Sequence, residues 1–175
     1  MIETKSILVG EVEGSGWVRM HGKGDFQSSP SLKECVESFL NLDSCRDVVV
    51  DLEPCPAMDS TFMGTLAGLA SRLLEREGTL SVVGLSERNR DSLVDLGLDA
   101  VLEIEDQNGE SPWSQNIEKI RKGLKSWQGK RNGASVAEEV LEAHRKLCQV
   151  DDRNHAKFGA VLEVLEKENS DQAGK

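Results

Sequence analysis

The sequence contains no uninterrupted apolar run of the roughly 18 residues that a bilayer crossing requires. Its opening, Met1-Ile2-Glu3-Thr4-Lys5, does not read as a secretory leader. A cytoplasmic protein without a membrane partner is therefore expected. Cysteine and histidine are equally sparse. Cys35, Cys45, Cys55 and Cys148 are widely separated and form no C-x-x-C pair, and no histidine cluster completes a zinc site. They read as reduced thiols, Cys35 on a helix face and the others near turns, so neither a metal nor a cofactor is expected. Catalytic signatures are missing too, with no G-x-S-x-G elbow and no G-x-x-x-x-G-K-[ST] loop. A hydrolytic serine needs a base within hydrogen-bond reach, and no motif places His21, His144 or His155 as one. An enzyme is not expected.

Clustered positive charge is also lacking where it would matter. The net charge is −10. Residues 1–105 hold 9 basic and 19 acidic side chains, whereas 106–175 hold 12 of each. Nucleic-acid binding needs Lys and Arg gathered against phosphates, so an acidic main domain argues against that partner.

What is present is enough apolar residue, 38% of 175, for one ordinary domain with an appendage. Residues 6–12 and 17–20 read as strands joined by a Glu13-Gly14-Ser15-Gly16 turn, an opening hairpin. Pro30 suits the first turn of a helix whose apolar face is Leu32, Cys35, Val36, Phe39 and Leu40. Asp47 to Leu52 reads as a buried strand. Met63, Leu66, Ala67, Leu69, Ala70, Leu73 and Leu74 then recur at three- and four-residue steps, predicting an amphipathic helix that stops at Gly78. Residues 79–85 predict another strand, Ser86 caps a helix closed by Gly97, and 101–105 make a short final strand. Strands alternating with helices imply an α/β fold with a mixed, mostly parallel sheet.

Between the buried strand and its helix lies Asp59-Ser60-Thr61, after the turn Pro54-Cys55-Pro56. These residue types cap helices by accepting hydrogen bonds from first-turn N–H groups. They also place two hydroxyls at the carboxyl end of a strand, where functional groups of such sheets gather. A phosphate on Ser60 would add about −1.5 to −2 charges beside Asp59, partly offset by the helix dipole at about 0.3–1 kcal/mol. The fold should tolerate that change. A partner burying Ser60 would not, because desolvating an unpaired dianion costs far more.

Four segments together resemble a STAS domain: Val48-Val49-Val50-Asp51-Leu52, Met58 to Leu66, Leu80-Ser81-Val82-Val83-Gly84-Leu85 and Leu93 to Asp99. The resemblance covers roughly residues 3–106. It implies an anti-sigma factor antagonist, in which the hydroxyl after the aspartate is phosphorylated by a serine/threonine kinase that is also an anti-sigma factor, and a PP2C-type phosphatase reverses the reaction. The acceptor then falls on Ser60, with Thr61 the alternate. Asp59, Phe62 and Met63 become the partner interface, Phe62 standing where the usual pattern has glycine and altering the exposed surface beside the acceptor.

An extension follows. Gln107 to Pro112 is a linker by composition, and Ile117, Ile120, Leu124 and Trp127 fit the family's closing helix. Lys119, Arg121, Lys122 and Lys125 around it read as a solvated face or as groups lying on the acidic domain. These divisions give a STAS domain over 1–128, a linker over 129–133, a C-terminal helical hairpin over 134–168 and a flexible tail over 169–175. The first hairpin helix carries Val136, Val140, Leu141, Ala143 and Leu147 and the second Phe158, Val161, Leu162 and Leu165, with Asp151 or Asp152 as a cap between them. Neither helix is stable alone, so the pair is expected to pack on itself, the domain or a partner.

The expected function is a phosphorylation-switched regulatory module that binds the kinase when unphosphorylated. The alternative is a constitutive scaffold or assembly subunit working through the C-terminal helices, and a nucleotide-binding enzyme is a more distant third.

Overall fold

In the computed structural model the described residues are 6–129 and 136–173, so part of the expected 129–133 linker lies outside them. Six strands, β1 (Ser6–Val12), β2 (Ser15–His21), β3 (Asp47–Asp51), β4 (Leu80–Val83), β5 (Glu103–Ile104) and β6 (Lys125–Ser126), form one sheet in the order β5-β4-β3-β2-β1-β6. β1 pairs antiparallel with β2 and β6, while β2, β3, β4 and β5 are parallel neighbours. The expected hairpin is present, and its two-residue connection, Glu13 and Gly14, lies wholly in the left-handed region, as tight hairpin loops that follow strand twist require.

The three valines of β3 are all buried because both sheet faces are covered. Val48 and Val50 join the main core with Val18, Met20, Leu80 and Val82. Alternation sends Trp17, Val49 and Val83 to the opposite face, where Trp113 meets Trp17 edge to face at 5.8 Å. Ile117, Ile120 and Leu124 complete that layer.

On the main face lie α1 (Ser29–Leu40), with Pro30 in its first turn, and α2 (Ser60–Glu75). α2 buries the expected stripe except Leu74, which is 46% exposed. Its end is built differently from the expectation. Glu77 takes the left-handed conformation, and Gly78 is required because a Cβ there would stand 2.1 Å from the Arg46 carbonyl oxygen. Ser86 caps α3 (Glu87–Asp95) by accepting from Asn89 N–H, and Gly97 follows with φ 73°.

The stretch after residue 112 departs from a long closing helix. α4 spans only Ile117–Lys122 and ends at Gly123, after which the chain extends as β6 and Trp127 N–H donates to the Ile7 carbonyl. Pairing with the free edge of β1 satisfies backbone groups that one more helical turn would leave unpaired on that edge. Arg121 does lie on the acidic domain. It bonds both oxygens of Asp51, which has no exposure, and also Glu53, while Arg19 reaches the same two carboxylates. Burial lowers the Arg121 pKa, but the Asp51 hydrogen bond and the Asp51, Glu53 and Glu118 charges outweigh it and hold the group above its ordinary value.

Two further helices, α5 (Val136–Val150) and α6 (Asn154–Ala173), pack against each other and onto the domain. α5 lies along α2, burying Leu141, Ala143, Leu147 and Cys148, and Leu147 joins the main core. Burying that one leucine contributes about 1.5–3 kcal/mol. The turn between them is pinned by Asn154, fully buried, whose amide donates to the Leu96 and Leu147 carbonyls. Asp151 accepts from the Arg153 backbone and side chain and sits against Gly97, where a Cβ would meet it at 2.2 Å.

Candidate functional site

The site begins with Asp59, the N-cap of α2. Its extended backbone turns the carboxylate back over the first helical turn, where Oδ1 accepts from Phe62 N–H at 2.8 Å and Oδ2 from Phe26 N–H at 2.9 Å. One side chain thus caps the helix and ties down the loop before α1. A second tie comes from backbone pairing of Gly24 with Ala57 and Asp59.

Ser60 is the first residue of α2 and is half-buried. Its Oγ lies 2.9 Å from Nε2 of His144 on α5, a contact across 84 residues of chain. The other ring nitrogen, Nδ1, is 2.7 Å from the Val140 carbonyl oxygen. A carbonyl only accepts, so Nδ1 carries the proton and, in the neutral ring, Nε2 accepts the Ser60 hydroxyl. Phe158 of α6 packs edge to face on the same ring at 5.3 Å. One residue earlier, Ala143 meets α2 at Gly64, where a Cβ would stand 2.2 Å from the Ala143 carbonyl oxygen. The two backbones therefore touch within about one helical turn of the hydroxyl.

The profile of the STAS domain matches residues 6–111, more than half of the chain. The chain belongs to the STAS domain family. An anti-sigma-B factor antagonist of Staphylococcus aureus (strain NCTC 8325 / PS 47) is 34% identical over 71 residues, which are 41% of this chain and 65% of that relative. Among solved structures, an anti-sigma factor antagonist from Mycobacterium paratuberculosis superposes with a TM-score of 0.53 at 21% identity, covering 68% of this chain and 96% of that one. The anti-sigma factor antagonist SpoIIAA in its unphosphorylated form gives 0.51 at 14% identity, covering 66% and 98%. These likenesses establish the mixed α/β STAS fold. The profile ends before α4, so the whole α5–α6 hairpin lies outside the matched residues.

Within the STAS domain, the residues expected at the interface are not equally placed. Thr61 is buried, at 4% exposure, and its carbonyl accepts from Thr65 Oγ1. Phe62 does not alter the exposed surface, contrary to expectation. It has no exposure and lies beneath Gly24, where a Cβ would meet the ring at 2.7 Å. Helical geometry turns the second position past Ser60 inward, and the ring fills the core between α2 and the Gly24 loop. Met63 is likewise packed into the main core. Of the expected group, Asp59 and Ser60 alone are partly rather than fully buried.

No sequence motif marks His144 as part of this site. Its partner is remote in sequence, and its only local signal is its position among the inward residues Val140, Leu141, Ala143 and Leu147. The contact supplies a hydroxyl, a base and a carbonyl that orients the base, but His144 is 5% exposed and the helices close over it. The groove between α1, α2 and α5, about 350 Å³, is lined instead by Lys33, Glu37, Gly68, Arg72, Glu142 and Lys146 among others.

Among the described residues no group of three His, Cys, Asp or Glu side chains is placed to hold a metal ion, and no helix is long and apolar enough to cross a membrane. All four thiols are free and buried. Burial, with the Glu34 charge, pushes Cys35 up to about 12, and burial also raises Cys45, Cys55 and Cys148. Cys148 lies in the last turn of α5, next to the connection to α6.

Proposed function

We propose that this chain is a cytoplasmic, non-catalytic regulatory protein of the anti-sigma factor antagonist type. Unphosphorylated, it binds a serine/threonine kinase that serves as an anti-sigma factor; phosphate on Ser60 abolishes binding, and a PP2C-type phosphatase restores it. The observation that carries the reading is the hydroxyl of Ser60 at the first position of α2, directly after the capping carboxylate of Asp59. Membership of the STAS family and the likeness to an anti-sigma-B factor antagonist support it. Ser60 is preferred to Thr61 because Thr61 is buried.

Charge supplies the switch. A phosphate of about −1.5 to −2 beside the Asp59 carboxylate is tolerated at the positive end of a helix dipole, whereas a partner surface closing over it would leave the dianion desolvated. The scaffold alternative has less support, since the apolar side of α5 is spent on α2 of the same chain. A kinase pull-down comparing the native chain with Ser60→Asp tests the reading. Loss of capture by the aspartate variant is expected, and equal capture by both would overturn it.

A further inference from the structure

The hairpin outside the STAS match covers the hydroxyl that the proposed switch uses. We infer that α5–α6 is an internal ligand of the acceptor face, competing with any partner for Ser60, and that phosphate on Ser60 releases it. The inference rests on the proposed role of Ser60, and the regulation it adds belongs to this chain's own helices.

Three contacts define the docked state. Ser60 donates to His144 Nε2 at 2.9 Å, the backbones of Gly64 and Ala143 meet without room for a Cβ, and Asn154 ties the hairpin turn to Leu96. A kinase must bring Ser60 Oγ in line with a nucleoside triphosphate. The His144 ring holds the hydroxyl on that approach, so the docked chain is not a substrate. In the open chain the γ-phosphoryl group passes to Oγ. The bond to the departing nucleoside diphosphate breaks, and the hydroxyl proton leaves to a base of the kinase.

The product no longer fits beneath α5. The new ester oxygen has no proton for Nε2, and the bulky phosphoryl group needs the volume that the imidazole holds. Any outward movement of α5 that makes room gives up the close Gly64–Ala143 crossing. The phosphate also carries its charge toward the Asp59 carboxylate and a ring nitrogen presenting a lone pair. Docking therefore selects the unmodified state, and a partner's apparent affinity is reduced by the fraction of chains that are open.

Amide hydrogen exchange on the full chain tests this without any kinase. Phosphoserine is installed at position 60 during synthesis, and the modified and unmodified chains are compared. Exchange over residues 136–150 is expected to rise at least about tenfold on modification, while β2, β3 and β4 stay protected. An unchanged rate, or a slower one from a phosphate–imidazolium pair, overturns the inference. The variant Ala143→Leu, with Ser60 unmodified, is expected to release the hairpin in the same pattern by overfilling the Gly64 crossing. Loss of protection throughout the sheet in that variant would instead make α5 an integral part of the domain and overturn the inference too. Release by phosphoserine in a protein that carries no phosphate in its own cell would sink the proposed function while leaving the coupling standing.

Discussion

Ser60 and His144 meet at 2.9 Å although 84 residues separate them, and the Val140 carbonyl orients the imidazole that receives the hydroxyl. This pairing joins the STAS domain to its C-terminal hairpin at the hydroxyl proposed as the switch. Replacing His144 by Ala removes that hydrogen bond, worth about 0.5–1.5 kcal/mol, and the edge-to-face contact with Phe158, worth a similar amount. Hydrogen exchange should accelerate over α5 and α6 and stay slow in β3 and β4.

Gly64 gives an opposite sign from that of helix propensity. Alanine in an exposed helix interior would stabilise by about 0.5–1 kcal/mol relative to glycine. Here its Cβ would stand 2.2 Å from the Ala143 carbonyl oxygen, so Gly64→Ala is expected to lower the thermal midpoint and loosen α5. A raised midpoint would show that α5 does not lie against α2 as described.

Asp51 is the charge that anchors α4. It is fully buried and bonded by Arg19 and Arg121. Asp51→Asn leaves two guanidinium groups without their buried carboxylate and should cost about 3–5 kcal/mol in urea unfolding. Arg121→Ala should cost less, because Arg19 still pairs with the carboxylate.

His21 sets a pH dependence. Burial, then the Arg19 charge, lowers its folded-state pKa below the ordinary 6.5, and its Nε2 has no hydrogen-bond partner among the described residues. The unfolded chain therefore binds the proton first. Its contribution to stability is complete above pH 6.5 and is lost as pH falls through the folded value. Stability measured between neutral pH and pH 5 should fall less steeply in His21→Gln than in the native chain.

Much of the fold was legible because it repeats locally. The valines of β3, the apolar stripe of α2 and the Ser86 cap are each written within a few residues. Helical geometry turns Phe62 inward, but the Gly24 loop that makes room for its ring lies 38 positions earlier, beyond the reach of a local pattern. The stretch from Ile117 to Trp127 has helical spacing throughout, yet the unpaired edge of β1 draws Lys125 and Ser126 into a strand. At the site, Asp59 and Ser60 could be read from cap chemistry and the family resemblance. His144 could not, since nothing near it in sequence shows that α5 crosses α2 at Gly64.

The most direct measurement is phosphopeptide mass spectrometry on the protein from its native cell, over residues 47–72. Phosphate on Ser60, in a fraction that changes with growth condition, is the expected result. A peptide unmodified under every condition, or modified only at Thr61, would contradict the Ser60 switch.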